Sequence, residues 1–294
     1  CIPVLCECGT DYRIDLDDFL IKLQLVDAVL ISHMRGHTSD MDKILSQCEK
    51  LGVPVIEDAA HSLGTTWRGK NIGTFGRLGC FSFQSYKLLN SGEGGMLITD
   101  DPDCFAKAVV MSGAYEHNWK KHHGERQFFE KWQNQLPLYN MRLNNLSALI
   151  IDSQIPYLDE RIENGRRNHD IAAKKLSHSE WIHVPEKFEH EARAPDSIQF
   201  NLVGLTPLEV SQFCDLINRM GVALQVFGNS KDNARAFWNW DFLPERFNLP
   251  KTRGMLMNAC DVRLPARLNV DDCKSIAEMI LEALRQVKSN MAAE

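Results

Sequence analysis

Residues 53–100 contain three apolar, strand-like runs, and this stretch constrains the fold of the chain more than any other. The runs are VPVIEDA, LGCFSF and GGMLITD, and the segments before the first and after the last have the amphipathic pattern of helices. Strands that alternate with helices predict βαβ units and a parallel sheet. We therefore predict an α/β fold with a mostly parallel sheet in its larger domain.

Three polar residues follow the ends of these runs: an acid, Asp58, a histidine, His61, and a lysine, Lys87. Ligands of open α/β sheets collect at the carboxyl ends of strands, so these residues mark a candidate cofactor site. A lysine in a partly dry site can form a Schiff base with an aldehyde, and a carboxylate can keep a pyridine nitrogen protonated, which are the two groups that pyridoxal phosphate (PLP) requires. Taken alone, a lysine and an acid at these positions are better explained as a solvated loop lysine and a helix N-cap.

The order of the motifs resembles the DegT/DnrJ/EryC1/StrS family of PLP-dependent sugar aminotransferases. The central motifs are E-D-A-A-H-x-x-G from Glu57, then G-x-x-G, F-S-F-x-x-x-K ending at Lys87, and G-E-G-G; the flanking ones are H-x-x-G-x-x-x-D-M from His33 and Y-N-M-R-L from Tyr139. The resemblance implies a fold-type I PLP-dependent transferase, with a PLP-binding large domain over 1–160 and a smaller C-terminal α+β domain over 161–294. It also implies transfer of an amino group from glutamate or glutamine to a keto- or aldehydo-sugar, with a nucleotide-linked sugar as the expected form.

The resemblance assigns roles to individual residues. Lys87 would carry PLP as a Schiff base and move the proton between substrate and cofactor, while Asp58 would pair with the pyridine nitrogen and His61 would contact the ring or its 3-hydroxyl. Ser82 would hold the phosphate, and Asn140 would reach the phosphate of a neighbouring subunit, which implies a homodimer with shared sites. Two alternatives stay open: Ser82 as a buried strand serine bonded to backbone, and Asn140 as the cap of the next helix.

Two other functions are compatible with the same fold. Dehydratases of this family replace the Schiff-base lysine with histidine, and Lys87 argues against that activity. The resemblance also implies a phosphate-binding loop at a helix N-terminus before the start of the printed sequence, which begins at Cys1. A non-catalytic remnant or regulatory subunit without bound cofactor is therefore the second alternative.

The C-terminal half departs from the family pattern, because the sugar-contacting His-Tyr pair is missing. In its place stand polar residues beside the aromatic residues Phe237, Trp238 and Trp240. Aromatic faces with amide and guanidinium donors suit sugars and carboxylates, although a packed aromatic hairpin explains them as well. The candidate substrate contacts are His33, Lys231 and Arg235.

Composition excludes several function classes. A net charge of -6 without a basic face argues against nucleic acid, and no apolar run is long enough to span a membrane. The nine cysteines are scattered and predict free thiols in a reducing cytoplasm. His117, His122 and His123 lack a carboxylate in register, so we predict no metal site.

Periodicity and capping residues predict the remaining elements. Helices are expected over 15–25, 40–50, 102–111 and 271–287, and another opens at Thr206 and Pro207. We also predict a strand in the segment IPVLCEC, a lid or substrate loop over 112–138, and a long helix over 144–175 with kinks at Pro156 and Gly165.

Overall fold

The computed structural model describes residues 1–229, 234–243 and 247–291. Its chain forms two compact units. The central unit comprises Asp27–Gly36 and Asp40–Leu158, and the terminal unit comprises Cys1–Val26, His37–Ser39 and Asp159–Glu294. The predicted domain limit at 160 lies close to the division at Leu158, whereas the first 26 residues belong with the C-terminal half of the chain.

Helices and strands are numbered in chain order. The helices are α1 (Leu16–Leu23), α2 (Met41–Leu51), α3 (Pro102–Met111), α4 (Arg126–Trp132), α5 (Asn145–Asp152), α6 (Leu158–Leu176), α7 (Pro207–Arg219), α8 (Pro250–Leu256) and α9 (Val270–Met291). The strands are β1 (Val29–Ser32), β2 (Val55–Asp58), β3 (Thr66–Trp67), β4 (Lys70–Asn71), β5 (Leu78–Ser82), β6 (Gly95–Ile98), β7 (Ile182–His183), β8 (Glu191–Ala192), β9 (Ser197–Leu202), β10 (Leu224–Val226) and β11 (Ala259–Arg263).

The main sheet of the central unit has the strand order β1-β2-β5-β6. Strands β1, β2 and β5 run parallel to one another, and β6 pairs antiparallel with β5 at the edge. The three apolar runs of 53–100 correspond to β2, β5 and β6. The predicted α/β fold with a mostly parallel sheet is confirmed.

Strand alternation gives this sheet two different faces. In β1, Val29 and Ile31 are buried, whereas Leu30 is 69% exposed. The register continues the exposed side across the sheet, because residues paired between neighbouring strands point to the same face. We call this side the site face; its members are Leu30, Ser32, Ile56, Asp58, Leu78, Cys80, Ser82 and Leu97.

The helices of the central unit begin and end where local signals predict. The side chain of Asp40 accepts a hydrogen bond from the Lys43 amide at the start of α2, and Gly52 ends the helix with φ 67°. That left-handed conformation favours glycine. Asp101 caps α3 in the same way, with Pro102 in the first turn.

Two predictions about local structure are wrong. The segment IPVLCEC is not a strand: its neighbourhood contains a single bridge, between Cys8 and Ile14, and Ile2 is 89% exposed. The helix predicted over 144–175 is not continuous: it is interrupted between Asp152 and Leu158, where a 3-10 helix (Ile155–Tyr157) contains Pro156, one of the two predicted kink positions. α6 runs through Gly165 without a break, and the missing Cβ there makes room for the carbonyl oxygen of Pro195, which a Cβ would meet at 2.2 Å.

The segment 112–138 contains regular structure that its sequence pattern did not indicate. It includes a 3-10 helix (Asn118–Lys121) and α4. The rings of Trp119 and Phe129 stack at 5.2 Å and are almost fully buried in a small core shared with α3. A role as lid or substrate loop stays a prediction.

The terminal unit is an α+β structure with an antiparallel sheet of order β10-β11-β9-β7. Its apolar core joins the sheet to α6, α7 and α9. As predicted, α7 opens at Thr206, whose side chain forms a capping box with Glu209. The unit also includes the N-terminal residues, because Tyr12 donates to the carbonyl of Phe200 and Asn201 donates to that of Thr10.

Candidate active site

Two neighbouring parallel strands end in the polar residues that the sequence singled out. Asp58 ends β2 and Ser82 ends β5, and Asp58 pairs in register with Cys80, two residues before Ser82. Both side chains belong to the site face, and both residues are half-buried. The parallel register therefore brings a carboxylate and a hydroxyl to the same face at the carboxyl edge of the sheet.

The carboxylate of Asp58 is held on both sides. Ser32 on β1 donates its hydroxyl to Oδ2 at 2.9 Å, and the amide of Ala60 donates to Oδ1 at 3.1 Å. Residues 59–65 form turns, so Asp58 does not cap a helix, which removes that alternative. Both oxygens keep acceptor capacity for a further donor.

Lys87 meets His61 beyond the ends of these strands. The Nζ atom of Lys87 lies 2.8 Å from Nε2 of His61, and both residues are half-buried. His61 comes three residues after Asp58, so the acid, the imidazole and the amine lie at one edge of the sheet.

The backbone around Lys87 is fixed by the glycine-rich turn that follows. Phe83 donates its amide to the carbonyl of Gly94, and Ser85 donates to that of Gly92. Gly94 adopts φ 145°, a backbone conformation that favours glycine. The side chain of Asn90 donates to the carbonyl of Lys87.

The hydroxyl of Ser82 is weakly bonded to its own strand end. Its oxygen accepts a long hydrogen bond of 3.3 Å from the amide of Gln84. The residue is half-buried, so the alternative of a buried strand serine describes it only in part. Its hydroxyl proton is available to an anionic ligand.

Sequence reasoning missed the role of Glu57. Its side chain has no exposed surface and accepts hydrogen bonds from the amides of Gly73, Phe75 and Gly76 at 2.6–2.8 Å. His33 donates from Nε2 at 3.2 Å. Burial alone would raise the pKa of Glu57, but these hydrogen bonds outweigh it and hold the pKa below its ordinary value.

His33 is therefore placed differently from the predicted substrate contact. Its side chain is fully buried against Glu57, and its carbonyl accepts from the hydroxyl of Ser62 at 2.6 Å. A side chain without exposed surface cannot touch a substrate in this arrangement. The E-D pair of the motif thus has divided roles: Glu57 secures the turn over 73–76 on one face, and Asp58 faces the site.

Asn140 lies in an exposed, extended segment, between Tyr139 and Met141, whose amides donate to the carbonyls of Met111 and Ser112. Asn140 is not a helix cap, because the cap of α5 is Asn144, whose side chain accepts from the amide of Ser147. The exposed position is compatible with a contact to another subunit.

The remaining substrate candidates belong to the C-terminal part of the chain. Lys231 lies outside the described residues. Arg235 approaches Asp261 at 3.5 Å, and its guanidinium lies 4.5 Å from the ring centre of Phe227. Trp238 packs edge-on against Phe237 within a local apolar cluster of the terminal unit, as the packing alternative requires, although Phe237–Asn239 form a 3-10 helix rather than a hairpin.

Metal clusters and membrane-spanning helices are absent from the parts of the chain that the structure describes. Within 1–229, 234–243 and 247–291, no group of three or more His, Cys, Asp or Glu side chains is arranged to hold a metal ion. None of the helices described there has the length and apolar character needed to cross a membrane.

The donor set at the sheet edge fits PLP. Lys87 offers an amine for the aldehyde, Asp58 a fixed carboxylate for the ring nitrogen, and Ser82 a hydroxyl for the phosphate. The imidazole of His61 contacts that amine. All four residues belong to the central unit.

The chain is similar in sequence to known aminotransferases. A model of the DegT/DnrJ/EryC1/StrS aminotransferase family matches residues 14–281. The chain is 35% identical over 208 residues to 3-amino-5-hydroxybenzoate synthase of Amycolatopsis mediterranei (strain S699), covering 70% of this chain and 52% of that protein. It is 28% identical over 245 residues to GDP-perosamine synthase of Vibrio cholerae, covering 83% and 61%. The matched part thus spans about half the length of these relatives.

Solved structures show the same fold at lower sequence identity. An aminotransferase, TlmJ, from Streptoalloteichus hindustanus superposes with a TM-score of 0.83 at 19% identity, covering 98% of this chain and 74% of that one. The crystal structure of 3-amino-5-hydroxybenzoic acid synthase gives 0.80 at 20% identity, covering 97% and 75%.

Proposed function

Because the chain belongs to the DegT/DnrJ/EryC1/StrS aminotransferase family, which is PLP-dependent, we propose that it is an aminotransferase that uses this cofactor. The amino donor in this proposal is glutamate or glutamine, and the acceptor is a keto- or aldehydo-sugar linked to a nucleotide. Relatives named GDP-perosamine synthase and spore coat polysaccharide biosynthesis protein SpsC support a role in amino-sugar biosynthesis. We expect the reaction to occur in the cytoplasm.

The observation that carries the proposal is the grouping of Lys87, His61 and Asp58 at one edge of the sheet. The contact of 2.8 Å between Lys87 and His61 keeps the amine beside an imidazole, and the hydrogen bonds from Ser32 and Ala60 orient the carboxylate. Each of these side chains has a chemical task in amino transfer with PLP.

In this proposal Lys87 would bind the aldehyde of the cofactor through Nζ and would move the proton during amino transfer. Asp58 would accept a hydrogen bond from the ring nitrogen and stabilise its positive charge. When bound, PLP supplies the electron sink that makes this proton transfer possible. His61 would contact the ring or its 3-hydroxyl, and Ser82 would bind the phosphate through its hydroxyl.

We also propose that two copies of the chain share their active sites through Asn140. The residues around it are apolar and exposed: Leu138 by 50%, Tyr139 by 49% and Met141 by 63%. An exposed apolar strip of this kind favours a protein interface. Asn140 would then donate to the phosphate bound in the neighbouring subunit.

The substitution Lys87→Ala tests the proposal. We expect turnover of glutamate with a keto-sugar nucleotide to fall by at least about 10²–10⁴-fold, because the group that moves the proton is lost. Borohydride treatment with PLP should label the wild-type chain at Lys87 and leave the variant unlabelled. Lys107→Ala is the matched control: this lysine is also partly exposed and pairs with Asp103, so its loss should leave turnover and labelling unchanged.

Each contrary result has a distinct meaning. Retained turnover in Lys87→Ala contradicts the assignment of the lysine. A wild-type chain that binds no PLP and is never labelled favours the non-catalytic remnant over the enzyme. Loss of water from the sugar without amino transfer favours the dehydratase.

A further inference from the structure

Ser32 makes a contact that neither the motifs nor the family match assigns. It is the last residue of β1, and the parallel register pairs it directly with Asp58 on β2. Its hydroxyl donates to Oδ2 of Asp58 at 2.9 Å. The contact is possible only because both side chains belong to the site face.

The bond completes a set that fixes the acid from several directions. The side chain of Asp58 accepts from Ser32 at one oxygen and from the amide of Ala60 at the other, and its carbonyl accepts from the amide of His33 at 3.0 Å. A carboxylate held at both oxygens has few rotamers left. A side chain that must face a ring nitrogen needs such a fixed orientation.

We propose that Ser32 is a positioning residue for Asp58: its hydroxyl orients the carboxylate towards the ring nitrogen of PLP. The inference rests on the proposed function, because it assumes that Asp58 binds that nitrogen. Ser32 influences the cofactor only through the acid and does not touch it.

A purely structural role does not explain the serine. Ser32 is exposed, and its neighbour on the same face, Leu30, is 69% exposed, so the hydroxyl fills no core space. β1 is an edge strand of the sheet, where a β-branched or apolar residue would suit strand geometry at least as well. The interaction with Asp58 is thus the evident use of the hydroxyl.

The test compares Ser32→Ala, Ser32→Thr and Asp58→Asn with the wild-type chain. Two quantities are measured: the dissociation constant of PLP, and the pH midpoint of the visible absorbance change of the bound cofactor. A fixed negative charge at Asp58 keeps the ring nitrogen positive, which disfavours a proton on the nearby lysine–cofactor nitrogen. Removing that charge, or loosening its position beside the ring nitrogen, should therefore raise the pH midpoint of the absorbance change. The other titratable groups at this edge are Cys80, His61 and Lys87, which all three variants leave in place.

We expect Ser32→Ala to weaken PLP binding about tenfold, the lower end for loss of a hydrogen bond to a charged group. Its pH midpoint should rise in the same direction as in Asp58→Asn, but by less. Ser32→Thr retains the hydroxyl and should restore both values to within about twofold in affinity. Urea unfolding should show only a small loss of stability for Ser32→Ala, because the bond lies at an exposed strand end.

Three results would overturn the inference. In the first, Asp58→Asn shifts both quantities while Ser32→Ala matches the wild type. In the second, Ser32→Thr fails like Ser32→Ala, which would make side-chain size rather than the hydroxyl the cause. In the third, the wild-type chain does not bind PLP, and this result overturns the proposed function as well.

Discussion

The polar strand residues of the two units differ in how deeply they are buried. In the central unit, Asp58 and Ser82 stand half-buried at strand ends on the site face. In the terminal unit, β9 is buried along its whole length, and its polar residues face away from the apolar core. Gln199 bonds His37 and Asp261 there, at 2.8 and 2.6 Å.

This difference in burial distinguishes polar groups that support the fold from polar groups that can bind a ligand. The polar groups of β9 are mostly satisfied inside their own unit, as buried polar groups must be, and have little left to offer a ligand. Those of the site face keep acceptor and donor capacity at an accessible edge. A strand aspartate alone therefore says little about function; its burial and its partners decide.

The largest expected effect contrasts two strand aspartates. Asp261→Ala removes a buried carboxylate that accepts from Gln199 and lies 3.5 Å from the partly exposed Arg235, so it should lower the free energy of unfolding by about 1–3 kcal/mol. Asp58→Ala removes a half-buried carboxylate and should cost less than about 1 kcal/mol, while PLP binding weakens strongly. Urea unfolding and a PLP titration measure both variants. Equal losses of stability in the two alanine variants would contradict the proposed difference between the two aspartates.

A smaller effect is expected from pH, at one buried glutamate in each unit. Burial would raise the pKa of Glu191, but Arg193, the amide of Thr38 and Arg13 lower it overall, and the pKa of Glu57 is lowered in the same way. A lowered folded-state pKa adds stability above the unfolded value of 4.5 that is lost as the pH falls through the folded value.

The free energy of unfolding, measured by urea titration at decreasing pH, should therefore decrease once the pH falls below about 4.5. The expected loss is about 1.4 kcal/mol for each unit of difference between the folded and unfolded pKa. Glu191→Gln and Glu57→Gln should each have a lower stability at neutral pH and a flatter pH dependence. The matched control is Glu163→Gln: this glutamate is 69% exposed and should retain the wild-type profile. If Glu191→Gln and Glu57→Gln both kept the wild-type pH dependence of stability, these two carboxylates would not be its source.

The smallest effect compares one helix cap in each unit. Asp40→Ala at α2 and Thr206→Ala at α7 should each lower the free energy of unfolding by about 1 kcal/mol, because each removes an acceptor for a first-turn amide. Thr206 also takes part in a capping box, so its loss should be the larger. Thr206→Ser retains the hydroxyl and serves as the control. Neutral results for both alanine variants would show that tertiary packing, rather than capping, sets these helix starts.

Features encoded within a few residues were predictable. The helices α2, α3 and α7 begin at Asp40, Asp101 and Thr206 because these side chains accept hydrogen bonds from amides that the helix cannot satisfy. The three strands of 53–100 follow from apolar runs bounded by turn residues. The grouping of Lys87 with His61 followed from motif order, since parallel strands end at the same edge.

Features that depend on distant partners were not predictable from local pattern. The segment IPVLCEC has a strand-like composition, but a strand requires a neighbour with which to pair, and Ile2 is left exposed. Gly165 suggests a kink, yet its function is to admit the backbone of Pro195. The packing of Trp119 on Phe129 gives order to a segment without clean periodicity.

The order of residues along the chain supplies a carboxylate and an imidazole after one apolar run and an amine after the next. Strand pairing in the folded chain then brings the hydroxyl of Ser32 to Asp58, while the adjacent Glu57 is buried against His33 and the turn at Gly73. The reason is strand register. A shift of one residue between β1 and β2 would exchange the two faces, and no local pattern sets that pairing.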